Sequence, residues 1–110
     1  MANLKIYDSM QCKKVLFEPI DPKNIRVYAC GPTVYDFAHI GNARMAVVFD
    51  TLIRLLRNLY GKVTYVSNIT DIDDKIIERS KKEKKTVYSI TNKFFKIYNE
   101  DMKMLNVLKP

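Results

Sequence analysis

The segment from Cys30 to Asn42 holds the side chains best suited to chemistry in this chain. It contains a thiol at Cys30, a glycine at Gly41, and His39, the only histidine of the sequence. A β-rich run over residues 25–30 leads into the segment, and a helical pattern follows it. In an open α/β sheet, ligands bind beyond the carboxyl ends of the strands, and a helix N-terminus favours a phosphate. The arrangement therefore predicts an anion site, where His39 donates hydrogen bonds or stabilises developing charge and Gly41 admits a ligand to the backbone.

Each of these residues also has an ordinary structural interpretation. A lone histidine before a helix is commonly a surface or capping residue, and a cysteine at a strand end is commonly a small core residue. The Gly31-Pro32 pair is commonly just a turn. No single residue decides between the functional and the structural interpretation.

Hydrophobic periodicity predicts the elements that position this segment. The β-rich run is interpreted as a buried strand over residues 25–30, followed by a helix from about Gly41 that ends at Gly61. The wide apolar arc of this helix predicts packing on more than one side. A second strand over residues 62–66 would complete a right-handed βαβ unit with parallel strands.

Further elements are predicted on both sides of this unit. Residues 4–7 and 15–17 are largely apolar around a polar centre, which predicts a strand, a turn and a second strand. Two helices are expected after the unit, one over residues 73–84 and one from about Thr86.

Three acidic residues at the start of the first of these helices allow two interpretations. Asp71, Asp73 and Asp74 could form a magnesium site, because acidic clusters bind hard cations. Carboxylates in the first turn of a helix are also favourable, because they face the positive end of the helix dipole. We favour this structural interpretation, in which Asp73 and Asp74 mark the first turn of the helix.

Composition places the chain among small ordered proteins. Its 110 residues allow one small domain, and 47% of them are hydrophobic. The two cysteines, Cys12 and Cys30, form neither a disulfide framework nor a zinc site by themselves. The apolar stretches are too short to cross a bilayer, and residues 1–5 carry no secretory signal. A cytoplasmic location without membrane attachment is therefore expected.

The formal net charge is +7, and much of the excess lies in the second half of the chain. A basic surface would favour a polyanion such as RNA. A solvated helix face is the more common explanation of such a charge, because charge alone is weak evidence for nucleic-acid binding.

Taken together, the motifs closely resemble those of a known family. Residues 28–36, YACGPTVYD, and residues 39–44, HIGNAR, are similar to the first signature of cysteinyl-tRNA synthetases. Residues 68–77, NITDIDDKII, match a second block of that family at a fitting distance. The opening residues 4–8, LKIYD, are similar to the family's start, so the resemblance covers essentially the whole chain.

The resemblance implies an α/β fold, the first half of a Rossmann-like (HUP-type) nucleotide-binding domain with parallel strands and flanking helices. Residues 1–110 would be the incomplete N-terminal portion of a class I synthetase catalytic domain. Enzymes of this family activate L-cysteine with ATP and Mg²⁺ to cysteinyl-adenylate, and then transfer the cysteinyl group to tRNA(Cys). The family also uses Zn²⁺, which binds the thiol of the substrate cysteine, and Cys30 matches its first protein ligand.

The same resemblance implies roles for individual residues. His39 and Asn42 match the first and last positions of the class I HIGH signature and are the expected catalytic residues. Asn42 replaces the usual histidine, although its amide can still donate hydrogen bonds or cap a helix. The expected ATP-binding residues are Pro32, Thr33, His39, Ile40, Gly41 and Asn42. The expected cysteine-binding residues are Gly31, Thr33 and Thr70.

The family's remaining parts are expected beyond Pro110. These are the other zinc ligands, the KMSKS loop, the remaining strands and the anticodon-binding region. One thiolate does not make a stable zinc site, so we expect the 110-residue chain alone neither to activate cysteine nor to bind zinc tightly. Half of a nucleotide-binding fold would leave an apolar face and a sheet edge uncovered. The full-length enzyme is expected to be a monomer.

Three alternatives stay open at this stage. The cysteine ligase of mycothiol biosynthesis shares the zinc cysteine and the HIGH loop, but it joins cysteine to an amino sugar rather than to tRNA. Methionyl-tRNA synthetase fits the block over residues 68–77 less well. From a different class, the chain could be a non-catalytic remnant that binds nucleotide, or a subunit that pairs with another chain.

Overall fold

The computed structural model describes residues 3–110. The predicted lack of a secretory signal in residues 1–5 therefore lies partly outside the described residues. The chain order is strand, strand, strand, helix, strand, helix, helix. The elements are β1 (Lys5–Asp8), β2 (Lys13–Leu16), β3 (Ile25–Ala29), α1 (Ile40–Tyr60), β4 (Val63–Ser67), α2 (Asp74–Glu83) and α3 (Val87–Met104).

Strands β1 and β2 form the predicted hairpin. They pair antiparallel with Lys5 opposite Leu16, in a two-stranded sheet of their own. The turn is held by Asp8, whose Oδ1 accepts a 2.9 Å hydrogen bond from the backbone N–H of Met10. Cys12 closes the turn with a φ of 52°.

Strands β3 and β4 confirm the predicted parallel pair, with Ile25 opposite Val63 and Ala29 opposite Ser67. Strand β3 ends one residue before its predicted end, and β4 is shifted by one residue towards the carboxyl end of the chain, as is usual for element boundaries. Because the strands are parallel, their carboxyl ends meet at the same edge of the sheet. The loops that follow β3 and β4 are thereby brought side by side.

Helix α1 connects the two strands and begins one residue before the predicted Gly41. Gly61 ends it as predicted, with a φ of 83° that glycine adopts readily, and its N–H donates to the carbonyl of Arg57 at 2.9 Å. The face that packs on the sheet carries Ile53 and Leu56, which are almost fully buried.

The prediction that α1 packs on more than one side is wrong for residues 3–110. Val48 is 58% exposed and Leu55 is 40% exposed. Among the helices and strands, α1 packs mainly on β3 and β4, so these exposed apolar residues have no covering element among the described residues. On the open face of the sheet, Tyr28 lies opposite Val66 and both are exposed, in agreement with the expected uncovered apolar face.

Helices α2 and α3 pack against each other after β4. The first begins one residue later than predicted, because Asp73 is its N-cap rather than its first turn. The second begins at Val87, after the N-cap Thr86. A small core cluster joins this pair to the loop after β3: its buried members are Val34, Ile90 and Phe94, with Ile69 and Ile97 packed against them.

The last residues of the chain are tied to α1 through a buried carboxylate. Asp50 Oδ1 accepts a 2.8 Å hydrogen bond from the N–H of Leu108. Its other oxygen accepts one of 2.9 Å from Arg54, which also donates to the carbonyl of Asn106. Among residues 3–110, no helix has both the length and the apolar character needed to span a bilayer.

Candidate functional site

The loops after β3 and β4 are joined by backbone hydrogen bonds. Val34 N–H donates to the carbonyl of Thr70 at 3.1 Å, and Thr70 N–H donates to the carbonyl of Pro32 at 3.0 Å. Thr33 and Thr70 therefore face each other as an isolated parallel bridge. The structure thus brings together two of the three residues expected to contact cysteine.

Gly31, the third of these residues, lies at the closest approach of the two loops. Its N–H donates a 2.7 Å hydrogen bond to the side-chain oxygen of Asn68. A Cβ at this position would lie 1.6 Å from the backbone oxygen of Asn68 and 2.9 Å from Ser67 Oγ. Only glycine fits here, because a backbone oxygen cannot move aside as a flexible side chain can.

Asn68 is a positioning residue that sequence analysis did not single out. Its amide links the end of β4 to the end of β3 across 37 positions of sequence. The available signal was its place at the start of the second family block, directly after a strand. Sequence alone does not say which backbone group such an amide contacts.

Cys30 is exposed at the carboxyl end of β3, and its thiol makes only a weak 3.7 Å contact with the carbonyl of Gly31. Cys12 is also free and exposed, so neither cysteine is in a disulfide. No group of three or more His, Cys, Asp or Glu side chains in residues 3–110 is arranged to hold a metal ion. Cys30 suits zinc as one soft ligand, but the described residues do not complete the usual set of four.

His39 is the N-cap of α1, and its partner in the cap is Asn42. His39 Nδ1 accepts a 3.0 Å hydrogen bond from Gly41 N–H, and Asn42 Oδ1 accepts one of 3.1 Å from His39 N–H. The pair forms a reciprocal capping box. Because Nδ1 is the acceptor, the neutral imidazole carries its proton on Nε2. The remaining ring donor of His39 is therefore the Nε2–H group.

The cap changes what an anion would meet at this helix end. Gly41 N–H is already bound to the imidazole, while Asn42 N–H and Ala43 N–H donate to the carbonyl of His39 at 3.0 and 3.2 Å. Ile40, the first residue of the helix, has no carbonyl one turn earlier within the helix. An anion here would approach the Nε2–H group and the N–H of Ile40, rather than a bare helix end.

A cleft of about 410 Å³ lies beside the cap. Besides the loop between β3 and α1, it is lined by His39, Asn42, Lys75 and Tyr98. Lys75 brings a positive charge to the cleft, with its Nζ 5.5 Å from the centre of the Tyr35 ring. Burial raises the pKa of the Tyr98 hydroxyl above its ordinary value. The cleft thus combines hydrogen-bond donors with a cation, which suits a phosphorylated ligand.

Sequence analysis missed Lys75 and Tyr98 as site residues. Lys75 lies within the second family block, but it is one of many lysines in this half of the chain. Tyr98 lies on α3, far from either block in sequence. Its place in the cleft follows from the packing of α3 on α2 and on the loop, which no local pattern records.

The acidic residues before α2 support the structural interpretation. Asp73 Oδ1 accepts a 2.8 Å hydrogen bond from Ile76 N–H, which caps the helix, and Asp74 lies in its first turn. Asp71 is exposed. Among residues 3–110, no three or more His, Cys, Asp or Glu side chains lie close enough together to hold a metal ion. Asp73 and Asp74 therefore belong to the start of the helix.

The sequence match that decides the family covers most of the chain. Residues 16–110 match the sequence model of a family described as tRNA synthetases class I (C) catalytic domain. The chain belongs to this class I synthetase family. The family resemblance inferred from the two motif blocks is confirmed, and so is the α/β class with its parallel strand pair.

Curated relatives of this class I synthetase chain include proteins named cysteine–tRNA ligase. The relative from Ehrlichia ruminantium (strain Gardel) is 54% identical over 105 residues, which are 96% of this chain and 23% of that protein. The relatives from Anaplasma phagocytophilum (strain HZ) and Rhodospirillum rubrum are 51% and 53% identical over 107 residues, with 97% of this chain and 23% of each relative covered. The chain spans about a quarter of the length of these relatives.

Proposed function

We propose that the protein carrying this chain is a cysteine–tRNA ligase. It activates L-cysteine with ATP to cysteinyl-adenylate, releases pyrophosphate, and transfers the cysteinyl group to the terminal adenosine of tRNA(Cys). The observation that carries the proposal is the His39–Asn42 cap beside the cleft, placed next to the Gly31–Asn68 junction in a chain of this family. The names of the relatives support the same substrate.

In this proposal, residues 1–110 are the N-terminal portion of the catalytic domain and form the first half of a Rossmann-like (HUP-type) nucleotide-binding fold. The β3–α1–β4 unit supports it, because a parallel pair joined by a helix is the repeating element of that fold. The exposed apolar side of α1 and the open face of the sheet are surfaces that further elements of such a fold would cover.

ATP would bind with its phosphates at the capped start of α1. The Nε2–H group of His39 would donate to a phosphate oxygen and stabilise the negative charge that develops as cysteine attacks the α-phosphate. Asn42 keeps its two amide N–H donors for the ligand while its oxygen holds His39. The other expected ATP contacts come from the same segment: Pro32, Thr33, Ile40 and Gly41. Mg²⁺ would accompany the phosphates.

L-Cysteine would bind beside the junction of the two loops, near Gly31, Thr33 and Thr70. Cys30 would contribute one ligand to a zinc ion, whose other ligands lie outside the described residues. When bound, zinc would hold the substrate as a thiolate and so discriminate against serine, which has a similar shape but coordinates zinc poorly.

The remaining parts of the proposal concern partners and location. The enzyme acts in the cytoplasm as a monomer, without membrane attachment, and its macromolecular partner is tRNA(Cys). The exposed lysines of α3, which are Lys93, Lys96 and Lys103, support an RNA partner, because they add positive charge to the surface of that helix.

Cysteine-dependent ATP–pyrophosphate exchange by the intact gene product tests the first step. We expect exchange with cysteine but not with serine. The His39→Ala variant should lose this exchange. The control is the separate variant Asn58→Ala, which changes an exposed site on the same helix and should keep it. Comparing tRNA(Cys) with glucosaminyl-inositol as the acceptor then separates the ligase of translation from that of mycothiol biosynthesis. Transfer to the amino sugar alone would overturn the tRNA assignment, and absence of exchange would overturn the activity itself.

A further inference from the structure

The guanidinium of Arg79, on α2, binds the loop that connects β3 to α1. Its Nη1 donates to the carbonyl of Tyr35 at 2.8 Å and lies 3.0 Å from Asp36 Oδ1. Its Nε donates to Glu83 Oε1 at 3.0 Å, one turn along the same helix. Arginine is fitted to this task because its planar fork directs several donors at once, which an ammonium group does not.

An aromatic contact with α3 also holds this loop. The guanidinium carbon of Arg79 lies 4.6 Å from the centre of the Phe94 ring, which is buried on α3. Phe37, two residues after Tyr35, forms a T-shaped pair with Phe94, with ring centres 5.2 Å apart and an angle of 88° between the ring planes. Arg79 and Phe37 therefore share one buried aromatic surface, so the loop and α2 are packed on α3 together.

The ionised state of Asp36 supports this arrangement at neutral pH. The N–H of Phe37 and the guanidinium of Arg79 lower the pKa of the Asp36 carboxyl below its ordinary value. The carboxylate is half exposed, so the ion pair by itself is worth little. The neutral hydrogen bond to the Tyr35 carbonyl and the packing on Phe94 complete the attachment.

The attached stretch separates the two ends of the candidate site. Val34 precedes it, pinned to the Thr70 carbonyl, and His39 follows it as the cap of α1. The path between them includes no regular element, so its shape depends on side-chain contacts. Arg79 and Phe37 make contacts that restrain this path.

We propose that Arg79 is a positioning residue for the synthetase reaction: it holds residues 35–37 so that the capped His39 and the wall of the cleft are preformed before ATP binds. Arg79 does not touch ATP in this proposal. The inference rests on the proposed function, because it assigns the restraint to the reaction at that site. Loosening the loop by about 1 Å would be enough to lower the rate by up to about 100-fold.

The test uses the intact gene product with Arg79→Met, Arg79→Lys and the control Lys82→Met, which removes a cation from an exposed site on the same helix. Hydrogen exchange reports on the loop directly, because Val34 N–H and Tyr35 N–H are both hydrogen-bonded. We expect Arg79→Met to speed exchange over residues 33–39 by about tenfold or more, since hydrogen bonds to charged groups are among the stronger ones.

The kinetic readout is ATP–pyrophosphate exchange per folded molecule, with folding followed by thermal unfolding. We expect Arg79→Met to lower kcat/KM for ATP by roughly 10- to 100-fold, with partial recovery in Arg79→Lys and no change in Lys82→Met. A loss that disappears when activity is corrected for the folded fraction would overturn the positioning role. An unchanged rate of hydrogen exchange over residues 33–39 in Arg79→Met would overturn the positioning role as well. If the unmodified protein shows no pyrophosphate exchange, the proposed function fails, and the hydrogen-exchange result alone decides whether Arg79 restrains the loop.

Discussion

Asn42 and His39 cap the first turn of α1 reciprocally: the imidazole accepts from the backbone of the helix, and the Asn42 oxygen accepts from His39 N–H. The relationship explains why an asparagine can stand where the family signature usually has a histidine. The side-chain oxygen of Asn42 accepts the capping hydrogen bond, and its N–H₂ group stays available to donate to a ligand. The cap also fixes the tautomer in which His39 presents Nε2–H to a ligand.

Two substitutions separate these roles of Asn42. Asn42→Ala removes the acceptor for His39 N–H and should lower the free energy of unfolding by about 1 kcal/mol, besides reducing exchange activity. Asn42→Asp keeps the acceptor but removes both donors and adds a negative charge. We expect it to retain thermal stability and to raise KM for ATP. Equal loss of stability in both variants would contradict the cap, and an unchanged KM in Asn42→Asp would contradict the contact with ATP.

Gly31 should tolerate no side chain. Gly31→Ala would place a Cβ 1.6 Å from the Asn68 carbonyl oxygen, so the two loops must separate. We expect destabilisation at or beyond the upper end of the roughly 1–3 kcal/mol typical of overpacking, measured by denaturant unfolding. The matched control is Gly61→Ala, where nothing lies near the added Cβ and the φ of 83° alone is unfavourable. A smaller effect at Gly31 than at Gly61 would show that the loops are not held together.

The attachment of Asp36 should weaken only in acid. Its pKa is lower in the folded state than in the unfolded chain, so its stabilising contribution is complete above the unfolded pKa of about 3.9 and disappears as pH falls through the folded pKa. Asp36→Asn should therefore melt at a lower temperature than the unmodified protein at pH 7. The two melting temperatures should converge as pH is lowered below about 4. A difference that stays constant with pH would assign the effect to something other than the carboxylate charge.

Asp50 should anchor the segment that follows α3. It is buried, and it accepts from Arg54 and from Leu108 N–H. Asp50→Ala leaves the Leu108 N–H without its partner and should cost about 1–3 kcal/mol of stability, while Arg54→Met should cost less. A double-mutant cycle in thermal or denaturant unfolding measures the coupling between the two side chains. Additive effects would mean that the carboxylate acts through Leu108 alone.

The 110-residue chain by itself should not bind zinc tightly. Cys30 is exposed and its region offers no second and third ligand among the described residues. We expect a zinc titration of the isolated chain to give weak binding that Cys30→Ser does not change much, with Cys12→Ser as the control. Tight binding that depends on Cys30 would contradict this expectation.

Local pattern was sufficient to predict most of the helices and strands. The Gly61 stop, the Thr86 start and the alternation of strand and helix around residues 25–66 all depend on neighbours in sequence. The prediction of several packed sides for α1 failed because apolar residues reveal a tendency to be buried, but not which partners are present to bury them. Val48 and Leu55 are apolar and yet exposed here.

The sequence by itself determined the family, through two motif blocks, and the segment in which His39, Gly41 and Asn42 lie. Only the tertiary structure decided that Asn68 meets Gly31, that Lys75 and Tyr98 line the cleft, and that Arg79 holds the loop. The physical reason is the range of the interactions. Periodicity and capping act over a few residues, whereas the Asn68–Gly31 and Arg79–Tyr35 contacts join positions 37 and 44 apart. Such contacts arise only once β3 and β4 pair and α2 and α3 pack.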